Sequence, residues 1–201
     1  MFQVRIHGRG GQGVVTASEM LALAAFDEGL HAQAFPSFGS ERTGAPVASF
    51  VRLSDDPIRV HEPVMDPDAV IVQDVTLLGQ VSVFAGLRRS GFVVVNSGRT
   101  VEELGICPEL RSEHPDHVVC VPASEIAQRH LGRPVPSAAL LGAFAALTGQ
   151  VGIAALTAAV EERLPGPVGA SNAAAAVETF ELVRDSRAQA RPSGADRAPT
   201  A

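Results

Sequence analysis

A glycine-rich run, Gly8-Arg9-Gly10-Gly11-Gln12-Gly13, stands directly after an apolar-polar alternation and directly before a helical pattern. No other feature limits the fold as strongly. Phe2 to His7 alternates as a half-buried strand does, and Val14 to Gly29 carries Val15, Met20, Leu21, Leu23, Ala24 and Phe26 at helical positions. Strand, tight turn and helix in that order open a Rossmann-like fold, in which bare backbone amides and the helix dipole favour an anion. The same G-x-G-x-x-G spacing also suits a turn that does no more than pack the first helix onto the sheet.

Downstream, His31 to Phe35 and Val47 to Leu53 read as strands, the second too close to the first for a crossover helix and so expected to pair antiparallel. Ala69 to Val72, the Val-rich Phe92 to Asn96, and His117 to Pro122 read as further strands of a sheet covered on both faces. Val75 to Leu87 is the expected crossover helix, and Ala123 to Leu131 a helix capped by Ser124 or a neighbour. Ser137 to Gly149, Val151 to Leu164 and Ser171 to Arg184 follow as helices. The predicted class is α/β: a mostly parallel Rossmann-like sheet, helices on both faces, and a C-terminal helical segment. Residues 1–184 form the one expected domain, and the polar, aperiodic stretch 185–201 a disordered tail. The Ala/Leu-rich helix around Ala138 to Leu147 suits either the sheet or another subunit as its packing partner.

Charge and cysteine usage narrow the function. The 16 basic residues are all Arg, dispersed in a chain of net charge -6, which argues against nucleic-acid binding. Cys107 and Cys120 are the two cysteines, too few for a four-thiolate iron-sulfur site. The histidines lack metal-ligand spacing, no serine lies in a G-x-S-x-G elbow, and no apolar run reaches membrane-spanning length. A cytoplasmic chain with no membrane contact is expected.

A dinucleotide dehydrogenase needs Asp or Glu at the end of its second strand to take the ribose hydroxyls. Here that strand runs into Pro36 with no acid, which disfavours an NAD-dependent oxidoreductase. The loop Phe35 to Pro46 leaves the carboxyl end of that strand, the edge where open α/β sheets bind ligands. Arg42 in it is a candidate phosphate fork and Ser37, Ser40 and Thr43 are hydroxyl donors, against the plainer reading of Glu41 and Arg42 as an exposed ion pair. Asp74 and Asn96 stand just beyond strands and suit helix capping better than ligand contact; His7 is read as a satisfied strand-end histidine.

Taken together, Ile6-His7-Gly8-Arg9-Gly10-Gly11-Gln12-Gly13-Val14-Val15-Thr16-Ala17 and Pro36-Ser37-Phe38-Gly39-Ser40-Glu41-Arg42-Thr43-Gly44-Ala45-Pro46 resemble the gamma subunit of 2-oxoacid:ferredoxin oxidoreductases. Asp74, Val94-Val95-Asn96-Ser97, Leu140 to Phe144 and Asn172 extend the resemblance over residues 2–184. It implies a non-redox subunit of an assembly that decarboxylates a 2-oxoacid, passes the acyl group to coenzyme A and sends two electrons to ferredoxin. Alpha, beta and delta subunits are the implied partners, carrying thiamine diphosphate, Mg2+ and [4Fe-4S] clusters. This chain would help to hold coenzyme A through Gly8, Arg9, Gly10, Gly11, Gln12 and Gly13, with Ser37, Arg42 and Thr43. Lys is absent, so a phosphate contact falls to guanidinium, with Arg9 and Arg42 both open as candidates. The glycine loop taken alone is equally compatible with a stand-alone nucleotide-binding module.

Overall fold

The computed structural model describes residues 1–37 and 43–190. Six strands, β1 (Phe2–Arg9), β2 (His31–Pro36), β3 (Pro46–Ser54), β4 (Ala69–Val72), β5 (Phe92–Asn96) and β6 (Val118–Val121), form one sheet in the order β2-β3-β1-β4-β5-β6. The helices are α1 (Val14–Asp27), α2 (Val101–Leu104), α3 (Pro108–Glu113), α4 (Ala123–Leu131), α5 (Ser137–Thr148), α6 (Ile153–Arg163) and α7 (Pro167–Ala190). β1, β4, β5 and β6 run parallel, while β3 pairs antiparallel with both β1 and β2. The short interval before β3 left no length for a crossover, as its antiparallel pairing requires.

Strand composition follows face coverage. Val4 and Ile6 of β1 and Val51 and Leu53 of β3 face a large core built with α1 and α4 to α7. β4 and β5 are apolar on both sides because Val70, Val72, Val93 and Val95 face a second core beneath α2, α3 and Leu77. Helical cover is therefore unequal: long helices on one face, short ones on the other. The crossover helix expected over Val75 to Leu87 is a 3-10 turn, Val75–Gly79, followed by irregular chain. Leu77, Leu78, Val81 and Phe84 keep a helical spacing, but Gly79 closes the turn and Gly86 takes a left-handed φ of 72°, and Asp74 caps the turn through Thr76 N.

On that second face, β1 and β3 present arginines where helices usually sit. Arg52, 1% exposed, donates to the Val60 carbonyl at 3.3 Å and also to that of Glu62, and stacks 5.1 Å over the Phe35 ring. Arg5 donates to the carbonyls of Val64, Val83 and Ala85. Two buried guanidinium groups thus bolt the irregular 55–68 segment to the sheet through its backbone carbonyls.

Packing also places the Ala/Leu-rich helix. α5 is apolar around its whole circumference and lies inside the molecule, with Leu140, Leu141, Ala143 and Phe144 fully buried. Thr179 of α7 donates to the Ala139 carbonyl within that contact. α7 runs to Ala190, so residues 185–190 continue a helix that sequence reading had ended at Arg184; Arg187 secures this extension by donating to Leu147 O at 2.8 Å. Residues 191–201 of the expected tail lie outside the described residues.

Candidate functional site

β1 delivers the glycine loop at the carboxyl edge of the parallel strands. Gly13 is the N-cap of α1, in a left-handed conformation (φ 76, ψ 29), and no side chain caps the helix. The first helical bond is Ala17 N to Gly13 O at 2.9 Å, so the amides of the first turn point out of the helix. Gly8 is needed for close approach: a Cβ there would stand 2.5 Å from Val14 Cγ2.

The two polar side chains of the loop are spent internally. Gln12 accepts from Arg9 N at 2.8 Å and donates to Asp74 Oδ2 at 3.0 Å. Arg9 donates to Asp74 through Nε at 3.0 Å, to the Gly44 carbonyl at 3.0 Å, to Thr76 Oγ1 at 2.6 Å and to Gln80 Oε1 at 3.2 Å. The sequence reading offered Arg9 as a phosphate contact; its guanidinium clasps the segment after residue 43 to the edge of β4. That segment meets the glycine loop through Gly10 N to Ala45 O at 2.9 Å, Gly44 N to Gly10 O at 3.0 Å and a bridge of Gly10 with Thr43. Ser37 N is held by Ala48 O at 2.8 Å. Arg42 and Ser40 lie outside the described residues.

Asp74 and Asn96 act as caps. For Asp74, burial works to raise the pKa, but hydrogen bonds from Thr76 and Gln12 and the charge of Arg9 outweigh it and hold the carboxyl below its ordinary range. Asn96 Oδ1 accepts from Ser124 N at 3.0 Å at the start of α4, so the cap comes from β5 rather than from Ser124 itself.

Of the predicted ligand residues, Gly11 and Gly13 line a cavity of about 410 Å3. Gly8, Arg9, Gly10, Gln12, Ser37 and Thr43 do not. The cavity lies between α1, the α4–α5 connection and the α6–α7 corner, with Thr16, Ser137, Ser171 and Asn172 as polar lining and Arg133 and His130 as its basic residues. The starts of α5 and α7 border it together with that of α1, so three helix dipoles direct positive potential to one region. Ser137, 4% exposed, donates to Gln12 O at 2.9 Å and ties α5 to the glycine loop. Gln73 reaches the same hydroxyl at 3.4 Å. Sequence reasoning missed Arg133 and Ser137. The available signal was Pro134-Val135-Pro136 just before a helix, since Pro marks helix starts, and a helix start is an anion site.

Other chemistries find little support in the geometry. Burial pushes the Cys107 and Cys120 thiols up to about 11, so both are protonated at neutral pH. Among the described residues no three His, Cys, Asp or Glu side chains are grouped to hold a metal, and no helix is long and apolar enough to cross a membrane.

Residues 3–182 match the family described as pyruvate ferredoxin/flavodoxin oxidoreductase. The pyruvate/ketoisovalerate oxidoreductases common subunit gamma of Thermococcus litoralis is 46% identical over 181 residues, covering 90% of this chain and 96% of that one. The pyruvate synthase subunit PorC of Methanothermobacter marburgensis is 44% identical over 186 residues, covering 92% and 99%. Among solved structures, the pyruvate oxidoreductase subunit PORC of Thermotoga maritima superposes with a TM-score of 0.74 at 35% identity, over 90% of this chain and 95% of that one.

Proposed function

This chain belongs to the pyruvate ferredoxin/flavodoxin oxidoreductase family, in its gamma-subunit branch, and from that membership we propose that it is the subunit that helps to hold coenzyme A in a multi-subunit 2-oxoacid:ferredoxin oxidoreductase. The reaction converts a 2-oxoacid, coenzyme A and two oxidised ferredoxins into acyl-coenzyme A, carbon dioxide, two reduced ferredoxins and a proton. Alpha, beta and delta subunits hold the thiamine diphosphate, Mg2+ and iron-sulfur clusters, and this chain is inactive alone. Pyruvate and 2-ketoisovalerate, which appear in the names of relatives, are the first substrates to test.

The observation that carries the reading is the uncapped first turn of α1, opening through Gly11 and Gly13 on a cavity with an arginine at its edge. Amides without partners in a dipole-favoured position suit the coenzyme's pyrophosphate. Arg42 remains the second proposed phosphate contact, and the Ser37 and Thr43 hydroxyls are proposed to contribute as well. Arg9, paired with Asp74, keeps a share of that proposed role.

Co-purification tests the assignment. Tagged chain should bring down thiamine- and cluster-bearing subunits, and the complex should form acyl-coenzyme A while the isolated chain does not. Arg42→Ala should raise the KM for coenzyme A with little effect on 2-oxoacid affinity. A monomer that binds the coenzyme saturably and never associates with such subunits supports a stand-alone binding module instead.

A further inference from the structure

The sheet has an open edge at β2, which ends the strand order, and no strand among the described residues pairs with its outer side. The register with β3, carried on by Ser37 N to Ala48 O at 2.8 Å, turns the amides and carbonyls of His31, Gln33 and Phe35 inward and those of Ala32 and Ala34 outward. Native edges are commonly blunted by charge, a bulge or Pro. β2 carries neither Lys, Arg nor acid, and its one Pro is the final residue, Pro36. Beside this edge, α1 lies across β2 and β3. Ser18 Oγ, 2.6 Å from Ser49 Oγ, fixes the side of α1 that faces the sheet, and Met20 in the cavity wall fixes the side that faces the other helices. At about 100° per residue, Val15, Ala22 and Phe26 fall on the remaining flank, toward the sheet edge. Val15 and Ala22 are half-buried, and Phe26 is 67% exposed. Glu19, on the same flank, is drawn away by Arg163 at 2.8 Å, so it does not set like charge against like there.

We propose that a second copy of this chain closes the edge, β2 pairing antiparallel with β2 across a twofold axis at Gln33. Leu30 N is already spent on Ala25 O at 3.0 Å and Pro36 has no N–H, so Ala32 and Ala34 supply the free amides and the paired stretch centres on Gln33. Ala32 of one copy then meets Ala34 of the other, and each both donates and accepts a backbone hydrogen bond. The same rotation sets the helices. Strands about 4.8 Å apart, with α1 seated between β2 and β3, bring the two α1 axes to about 10 Å, the ordinary distance of packed helices. Ala32 and Ala34 turn their methyls to the face that α1 covers, so the two Phe26 rings lie over a floor of small residues. One operation thus satisfies both the open backbone and the bare helix flank, as an isologous contact does. With 14 residues α1 is about 21 Å long, and helix plus sheet make a face about 20 Å deep, so each copy contributes roughly 400 Å2. That is about half of one partner's share in a standard stable interface, which gives a dimer that forms at high concentration and separates on dilution. The contact lies on the flank of α1 away from the cavity and does not depend on the coenzyme A reading.

Sedimentation velocity of the full chain over a concentration series tests the pairing, and a monomer–dimer equilibrium in the high micromolar range is expected. Ala34→Pro removes only an outward N–H, which an edge strand tolerates, and Phe26→Glu sets two like charges against each other at the helix contact. Each should raise the dissociation constant roughly tenfold or more while circular dichroism and Tm stay those of the parent. Gln33→Cys brings two thiols to the axis, where opposed Cα atoms of a non-hydrogen-bonded pair stand about 4.5 Å apart, within disulfide reach. With oxidised glutathione as oxidant, this variant should give a dimer linked through residue 33 of both copies. A chain that stays monomeric at millimolar concentration and forms no such link overturns the proposal. A dimer indifferent to Ala34→Pro and Phe26→Glu uses another surface and overturns it too. In the complex purified with its other subunits, a link from residue 33 to a different subunit assigns the edge to that subunit and is equally fatal.

Discussion

Arg9 and Asp74, 65 residues apart in the chain, close a 3.0 Å ion pair at the edge between β1 and β4, and the same guanidinium holds the Gly44 carbonyl on the opposite side. One side chain thus joins the glycine loop, the turn after β4 and the return of the long loop into β3. Arg9→Ala should destabilise the protein by about 1 to 2 kcal/mol, since the pair is only partly shielded and several charged hydrogen bonds go together. Chemical denaturation measures the loss, and faster hydrogen exchange at the Gly10 and Gly44 amides would locate it. A variant of unchanged stability but weakened coenzyme binding would return Arg9 to the ligand.

The carboxyl of that pair titrates below its ordinary value of 3.8 in the folded chain. Its contribution is complete above the unfolded value and is lost as pH falls through the lower folded one. Asp74→Asn should therefore be less stable than the parent at neutral pH, with the gap narrowing only below about pH 4. Denaturation midpoints of the two proteins between pH 3 and pH 7 give the comparison, and a gap independent of pH would contradict the ionic role.

His7 behaves differently. Burial, reinforced by the nearby charge of Arg5, lowers its pKa from 6.5 to about 4. The unfolded chain takes up this proton first, so stability is full above the unfolded value and falls as pH drops from 6.5 towards 4. The shift amounts to up to about 3 kcal/mol, an order-of-magnitude figure. His7→Gln should flatten the stability profile in this window, and NMR titration of the ring would read the low pKa directly.

Gly13 combines a left-handed backbone with close contact: a Cβ built there would lie 2.9 Å from Ser137 Oγ. Gly13→Ala should cost about 1 to 2 kcal/mol from backbone strain alone. Ser137→Ala relieves the steric part only, so a double-mutant cycle should show favourable coupling, and strict additivity would show that the hydroxyl contact is immaterial.

Removing the buried Arg52 guanidinium strips the Val60 and Glu62 carbonyls of their donor. Arg52→Met should destabilise by roughly 2 to 4 kcal/mol and release the 55–68 segment. Trypsin would report the release as faster cleavage after the exposed Arg59. An unchanged digestion pattern would show that the segment is held by other contacts.

Much of the sheet was legible because its signals are local. Alternation in β1, the all-apolar β4 and the Val-rich β5, and the short interval before β3 each state their environment within a few residues. The crossover after β4 was not, since Leu77, Leu78, Val81 and Phe84 keep a helical spacing although the chain packs them into the second core from a 3-10 turn and irregular backbone. The glycine loop was legible for the same local reason, but the use of Arg9 was not. A charged side chain next to a glycine loop looks the same whether it awaits a phosphate or is engaged by Asp74.

The order of residues by itself determined the strand-turn-helix opening, the bare amides at the start of α1 and the family to which the chain belongs, because backbone conformation and motif spacing are properties of neighbours. Only the tertiary structure decided that α5 is an interior helix, that Arg9 is a clasp, and that Arg133 and Asn172 border the same cavity as Gly11 and Gly13. Those facts depend on which distant segments share a surface once the apolar faces are buried, and long-range pairing of that kind leaves no trace in the spacing of adjacent residues.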